Sequence, residues 1–247
     1  MHATIQKPIE EILTCFKKGE RVFVVGCGNC AEKCHSGGVP ETKGMAERLM
    51  RRGVQVAGWA CTNSGVSLCK LVVTRKMLME EHKSEVAQTD SFLVLACGQG
   101  IHTVIDATDG GTVHVGCDTI FGGETISDDF ITEYCSLCGE CIVESTGGLC
   151  PVTLCAKSLL NGPCGGAKNG KCEVDKNRDC GWQLIYDRLN ALGRVDQMKK
   201  YLAPKRNSKW SRPRSLSVQS EVATFKSLAG ECKVFNTDLP NPPTGKE

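Results

Sequence analysis

The chain has 247 residues, 17 of them cysteine, with a formal net charge of +2 and only 5% aromatic residues. That length suits one or two domains with a real apolar core, and the near-neutral charge leaves the molecule without a strong electrostatic partner preference. The odd cysteine count and the lack of an apolar signal segment in the first twenty residues disfavour a secreted disulfide scaffold, and a reduced, cytoplasmic protein is expected. No apolar run approaches the roughly 18–20 residues of a membrane span.

Residues 5–19 predict a short amphipathic helix, with Ile9, Ile12, Leu13 and Phe16 on one face. Residues 21–25 (RVFVV) then read as a buried strand ending in Gly26-Cys27-Gly28. Residues 41–52 have helical periodicity and stop at Gly53. Strands follow at 54–59, 91–96 and 112–115, with helices at 66–87 and 100–107 between them. Strands alternating with helices predict an α/β fold with a doubly wound parallel sheet, Rossmann- or flavodoxin-like.

From residue 128 the composition changes to Cys, Gly and Pro with little periodicity, as in small metal-stapled modules. Residues 182–201 return to a helix carrying Trp182, Ile185, Tyr186, Leu189 and Leu192 on one face, with Gly193 as an interruption. The expected organisation is therefore an α/β domain over 1–127, a cysteine-rich module with its helix over 128–203, and an extended or disordered tail over 204–247.

Eight cysteines crowd residues 135–180: Cys135, Cys138, Cys141, Cys150, Cys155, Cys164, Cys172 and Cys180. The opening C-x2-C-x2-C hook lets tight turns aim three sulfurs at one centre, which suits an iron–sulfur cluster better than a lone zinc. Eight thiolates are enough for two four-cysteine centres. Wide spacing after the hook keeps zinc open as an alternative.

A second candidate site lies at the strand ends. Four strands end near Cys27, Cys61, Cys97 and Cys117, and open parallel sheets bind ligands at the carboxyl ends of their strands. Cys27, Cys30 and Cys34 form a C-x2-C-x3-C group that needs a fourth ligand. Cys97 is the first choice, because parallel topology places the third strand beside the first; Cys61 and Cys69 are the alternatives. The glycines around Cys27 are expected to let amides approach cluster sulfides.

Two motif imitations fail on context. Gly26–Ala31 matches G-x-G-x-x-A, but the second strand ends in GWACTNSG, with no acidic residue for a ribose hydroxyl. Residues 165–172 imitate a phosphate loop without a preceding strand, and Cys172 stands where the magnesium-binding hydroxyl belongs. Their glycines are expected to serve tight turns instead. Lys205, Arg206, Lys209, Arg212 and Arg214 flank Trp210; they are read as a solvated linker or docking strap for a protein partner, with a nucleic-acid arm disfavoured. Cys15 and Cys232 are read as incidental. No catalytic constellation is apparent, so no catalytic residue is assigned.

VVGCGNCAEKC, LACGQGIHTV and above all CSLCGECIVESTGGLCPVTLCAKSLLNGPCGGAKNGKCEVDKNRDCGWQLIYDRL resemble the small cysteine-rich subunit of two-subunit bacterial methylenetetrahydrofolate reductases. The resemblance spans roughly residues 20–205. It implies a flavin-bearing (FMN or FAD) TIM-barrel partner that reduces methylenetetrahydrofolate to methyltetrahydrofolate. This chain would hold two or three [4Fe–4S] clusters and relay electrons to that flavin. Further electron-transfer subunits or ferredoxin would supply the electrons. A structural zinc or iron–sulfur assembly subunit is the competing reading.

Overall fold

The computed structural model describes residues 1–127, 130–206, 209–210, 212–217 and 224–227. The chain divides into two compact units, Met1–Tyr134 and Cys135–Glu247.

The first unit is built on a four-stranded parallel sheet in the order β3-β2-β4-β5. Its strands are β2 (Arg21–Gly26), β3 (Gln55–Cys61), β4 (Ser91–Leu95) and β5 (Val113–Val115). The continuous apolar runs of β2 and β4 reflect burial on both faces. Val22, Val24, Leu93 and Leu95 turn to one face, packed by α1 (Ile9–Thr14) and α3 (Val39–Arg51) through Ile12, Met45 and Leu49. Phe23, Val25, Phe92 and Val94 turn to the other, where Leu68, Met77, Leu78 and Val104 cover them. That face carries α4 (Leu71–Lys76), α5 (Lys83–Val86) and α6 (Gly98–Ala107).

Several local expectations are corrected. The helix expected over 5–19 is confined to Ile9–Thr14, and residues 2–6 form a strand, β1 (His2–Gln6). It pairs antiparallel with β6 (Cys117–Gly122), so a distant partner overrides local pattern. The expected helix over 66–87 begins only at Leu71 and is interrupted by a π-helical turn, Met77–Glu81, before α5. A second hairpin, β7 (Glu124–Ser127) with β8 (Phe130–Thr132), gave no clear signal in its polar sequence.

One ion pair under the sheet is deeply set. The Glu20 carboxylate and His114 Nε2 lie 2.9 Å apart, with side chains only 7% and 14% exposed. The ring of Phe16 packs edge-on against His114 at 5.0 Å. Burial pushes the Glu20 pKa up, but the Ser91 hydroxyl, His114 and the Lys17 amide outweigh it and hold it down at about 2. A depressed carboxylate contributes stability that is fully present above its ordinary value near 4.5 and is lost as pH falls towards 2. Between those limits, wild type is expected to lose more thermal stability than Glu20→Gln. Parallel melting curves for the two proteins would refute this.

The second unit is loop-rich. Its α7 (Pro151–Leu154) is a single turn, and α8 (Gly181–Ala191) is the one long helix among the described residues of this unit. α2 (Cys30–Lys33) belongs to the first unit. The helix over 182–201 is interrupted at Gly193 (φ 65°), as its sequence suggested, and resumes as a 3-10 turn, Val195–Lys199. Trp182, Ile185 and Leu189 form a small core against Leu149, Leu159, Val195 and Met198. Beyond residue 204, strands β9 (Arg214–Ser217) and β10 (Thr224–Ser227) pair antiparallel. The tail expected to be extended or disordered lies largely outside the described residues, and so does Cys232. No helix among the described residues is long and apolar enough to cross a membrane.

Candidate metal centres

At the carboxyl ends of β2 and β4, neighbours in the sheet, the chain places Cys27 and Cys97. Both are buried, each 6% exposed. Cys30 opens α2 and Cys34 closes it. Cys97 caps α6 without a side-chain hydrogen bond to it, although the Gly100 and Gln99 amides lie near enough to act on its sulfur electrostatically. Burial raises the Cys97 pKa, those amides oppose the rise, and the neighbouring Cys30 and Cys27 add to it. The Thr4 amide donates to the Cys34 sulfur at 3.4 Å, and the Gly98 amide donates to Thr119 Oγ1 at 2.9 Å. The β1–β6 pair thus lies over this end of the sheet.

The other strand-end cysteines have different partners. Cys61 donates to the Gly37 carbonyl at 3.7 Å, and Cys117 to the Ser36 carbonyl at 3.4 Å. Burial pushes both thiols up to about 12, so both stay protonated at neutral pH. They brace the Ser36-Gly37 loop as thiol donors. Cys69 is exposed in the loop before α4.

The glycines here serve close packing rather than free amides. The Gly28 amide is already bonded to Thr62 Oγ1 at 2.8 Å, which departs from the expectation that it faces a ligand. A Cβ on Gly37 would stand 1.9 Å from the Leu95 carbonyl oxygen. Gly37→Ala is therefore expected to cost about 3 kcal/mol of stability, at the upper end for overpacking. Denaturant unfolding would measure it, and a cost near zero would mean that the loop moves freely.

In the second unit the eight cysteines separate. Cys155, Cys164, Cys172 and Cys180 line one cavity with Lys157, Glu173 and Trp182. The turn that gathers them is held by bridges from Lys168 to Lys171 and from Lys171 to Asp179. Gly165 and Gly170, with φ of 80° and 75°, allow its bends, as their sequence context suggested. Cys164 receives the Gly166 amide at 3.5 Å and lies 3.5 Å from Glu173 Oε1, which pairs with Lys157.

Cys135, Cys138 and Cys141 sit on a separate turn. Leu137 and Gly139 both have positive φ, and the Leu137 amide donates to the Cys135 sulfur at 3.4 Å. Burial acts to raise the Cys138 pKa, but the Lys205 ammonium and the Glu140 backbone outweigh it and lower it. Cys150 caps α7, at the opposite end from Cys155. Among the described residues, no group of three or more His, Cys, Asp or Glu side chains converges as a single-ion site. The donor chemistry nonetheless fits a thiophilic centre: four sulfurs line one cavity and three share one turn.

Residues 114–208 match a family model described as the methylene-tetrahydrofolate reductase C terminal. No curated protein and no solved structure matches the chain.

Proposed function

We propose that this chain is the electron-transfer subunit of a methylenetetrahydrofolate reductase complex. The observation that carries the proposal is the cavity lined by Cys155, Cys164, Cys172 and Cys180 in one unit; in the other, Cys27 and Cys97 follow the adjacent strands β2 and β4, and Cys30 and Cys34 bound α2, as a four-thiolate site there would require. Cys135, Cys138, Cys141 and Cys150 make the remaining set of four. The family match over residues 114–208 supports the link to the reductase. Iron–sulfur clusters held by these thiolates would supply one-electron chemistry. The chain's own residues ligate, bury and hydrogen-bond the sulfurs, and it contributes no catalytic residue. The partner is a flavin-bearing catalytic subunit that reduces methylenetetrahydrofolate; ferredoxin or a further electron-transfer subunit supplies electrons.

The test is flavin reduction in the assembled complex with reduced ferredoxin. Flavin should be reduced quickly only when this chain is present, and Cys97→Ser should slow it. Equal rates with and without the chain would sink the relay.

A structural zinc in the Cys155–Cys180 cavity is the second reading. Four cysteine sulfurs lining one cavity match the ligand number of a structural zinc. Zinc there would order the module without carrying electrons.

A further inference from the structure

In the first unit, strands β6, β7 and β8 keep backbone edges that no other strand among the described residues pairs. β6 pairs with β1 alone and β7 with β8 alone, so each pair is a two-stranded sheet separate from the four-stranded one. A two-stranded pair is marginal in water, and its outer edges offer unpaired N–H and C=O groups to another chain. The two pairs are fixed to each other. Met1 and Gly123 exchange backbone bonds at 2.7 and 2.8 Å, and the Thr125 hydroxyl donates to Met1 Sδ at 2.7 Å. A Cβ on Gly123 would stand 2.6 Å from the Thr132 carbonyl oxygen. Yet β7 is exposed at every position, and Ile120, Ile126 and Phe130 are each at least half exposed.

The usual protection of such an edge is missing. Native sheets blunt exposed edges with Lys or Pro, but residues 115–134 contain no Lys, Arg or Pro. The exposed charges on and beside these strands are acidic: Asp118, Glu124 and Glu133. Lys7 pairs with Asp118 at 2.8 Å, whereas Glu124 and Glu133 form no ion pair among the described residues. Pairing with the same edge of a second copy would set these carboxylates against each other, which is destabilising. An acidic edge with exposed apolar side chains fits a basic, extended segment of another protein instead. The family match supplies a second observation. It begins at residue 114, ahead of the second unit, so the stretch that matches the reductase model takes in β6, β7 and β8 as well as the cysteine-rich module.

We propose that β7 is the docking edge for the reductase's catalytic subunit. That subunit adds an extended basic segment along β7, with apolar side chains on Ile126 and Phe130 and Lys or Arg on Glu124 and Glu133. This rests on the reading that the chain is a subunit of the reductase complex. It does not depend on which metal the cysteines hold.

The test measures binding of the purified full chain to the purified catalytic subunit by biolayer interferometry, at low and at physiological salt. Light scattering gives the oligomeric state of the chain alone. The variants are Glu124→Lys/Glu133→Lys, Ile126→Ser/Phe130→Ser and the control Val72→Ser, at an exposed apolar position on α4. Each double variant should weaken binding roughly tenfold or more. The charge reversal should also abolish the gain in affinity at low salt, and the apolar pair should keep it. Val72→Ser should bind as wild type does. Wild-type affinity in both double variants would overturn the docking edge and leave the subunit reading standing. No binding by wild type would overturn that reading, and the edge with it. A wild-type homodimer that the double variants turn into monomers would give the edge to a second copy and overturn the proposal. If Ile126→Ser/Phe130→Ser fails to fold, the charge reversal decides alone, since both of its positions are exposed.

Discussion

Cys172→Ser is expected to remove one metal centre and unfold the second unit under conditions where wild type stays folded. The physical reason is the size of the terms. The apolar core of that unit is Trp182, Ile185 and Leu189, each contributing about 1.5–3 kcal/mol by burial. Structural zinc in small peptides contributes about 10–16 kcal/mol of apparent binding free energy, and a metal bound here adds folding free energy in the same way when no site exists in the unfolded chain. The metal term is the larger, so losing one of the four thiols around the cavity weakens the dominant contribution. Metal analysis should show the loss of one centre while the strand-end group keeps its own. Cys15→Ser, on an exposed thiol that donates to the Glu11 carbonyl, should lose no metal. Full metal content in Cys172→Ser would contradict the assignment of the cavity.

Trp182→Ala should be nearly as damaging, for a different reason. Trp182 is 4% exposed, donates Nε1–H to the Leu159 carbonyl at 3.0 Å, and lines the cysteine cavity. Truncation opens a void, leaves a carbonyl without its donor, and removes one wall of the cavity. A cost of about 3–5 kcal/mol is expected, a large share of so small a core. Because the indole also shields the sulfurs, metal should be released faster even at temperatures where the variant is folded. Chelator kinetics and a thermal melt check both effects; a melt shifted without faster release would confine Trp182 to packing.

What could be read from the residues depended on how local their causes are. The RVFVV and SFLVLA runs announce strands because both faces of β2 and β4 are covered, so every position is apolar. The parallel order follows from the alternation of strands and helices, and it places Cys97 beside Cys27 because β4 neighbours β2. β1 could not be read, since HATIQ becomes a strand only by pairing with residues 117–122. The roles of Cys61 and Cys117 were hidden too. A cysteine at a strand end looks the same in sequence whether it faces a ligand or donates to a loop carbonyl.

The division of the second unit's cysteines was equally hidden. Spacing identifies the hook, but only the turn held by Lys171 and Asp179 brings Cys172 and Cys180 round to Cys155 and Cys164. Contacts of the basic segment with the hook, Arg206 with Glu140 among them, join residues more than 60 apart. Such contacts leave no periodic signal, and a basic, Pro-containing segment reads as a linker.

The most direct test of the central claim is the iron, zinc and acid-labile sulfide content of anaerobically purified protein, with an EPR spectrum after reduction. The account predicts about eight to twelve irons per chain with matching sulfide, from four irons in each cubane, and a reducible signal; at the lower figure, one zinc would fill the Cys155–Cys180 cavity. Zinc without sulfide and no signal on reduction would contradict it, leaving a subunit whose metals only order the fold.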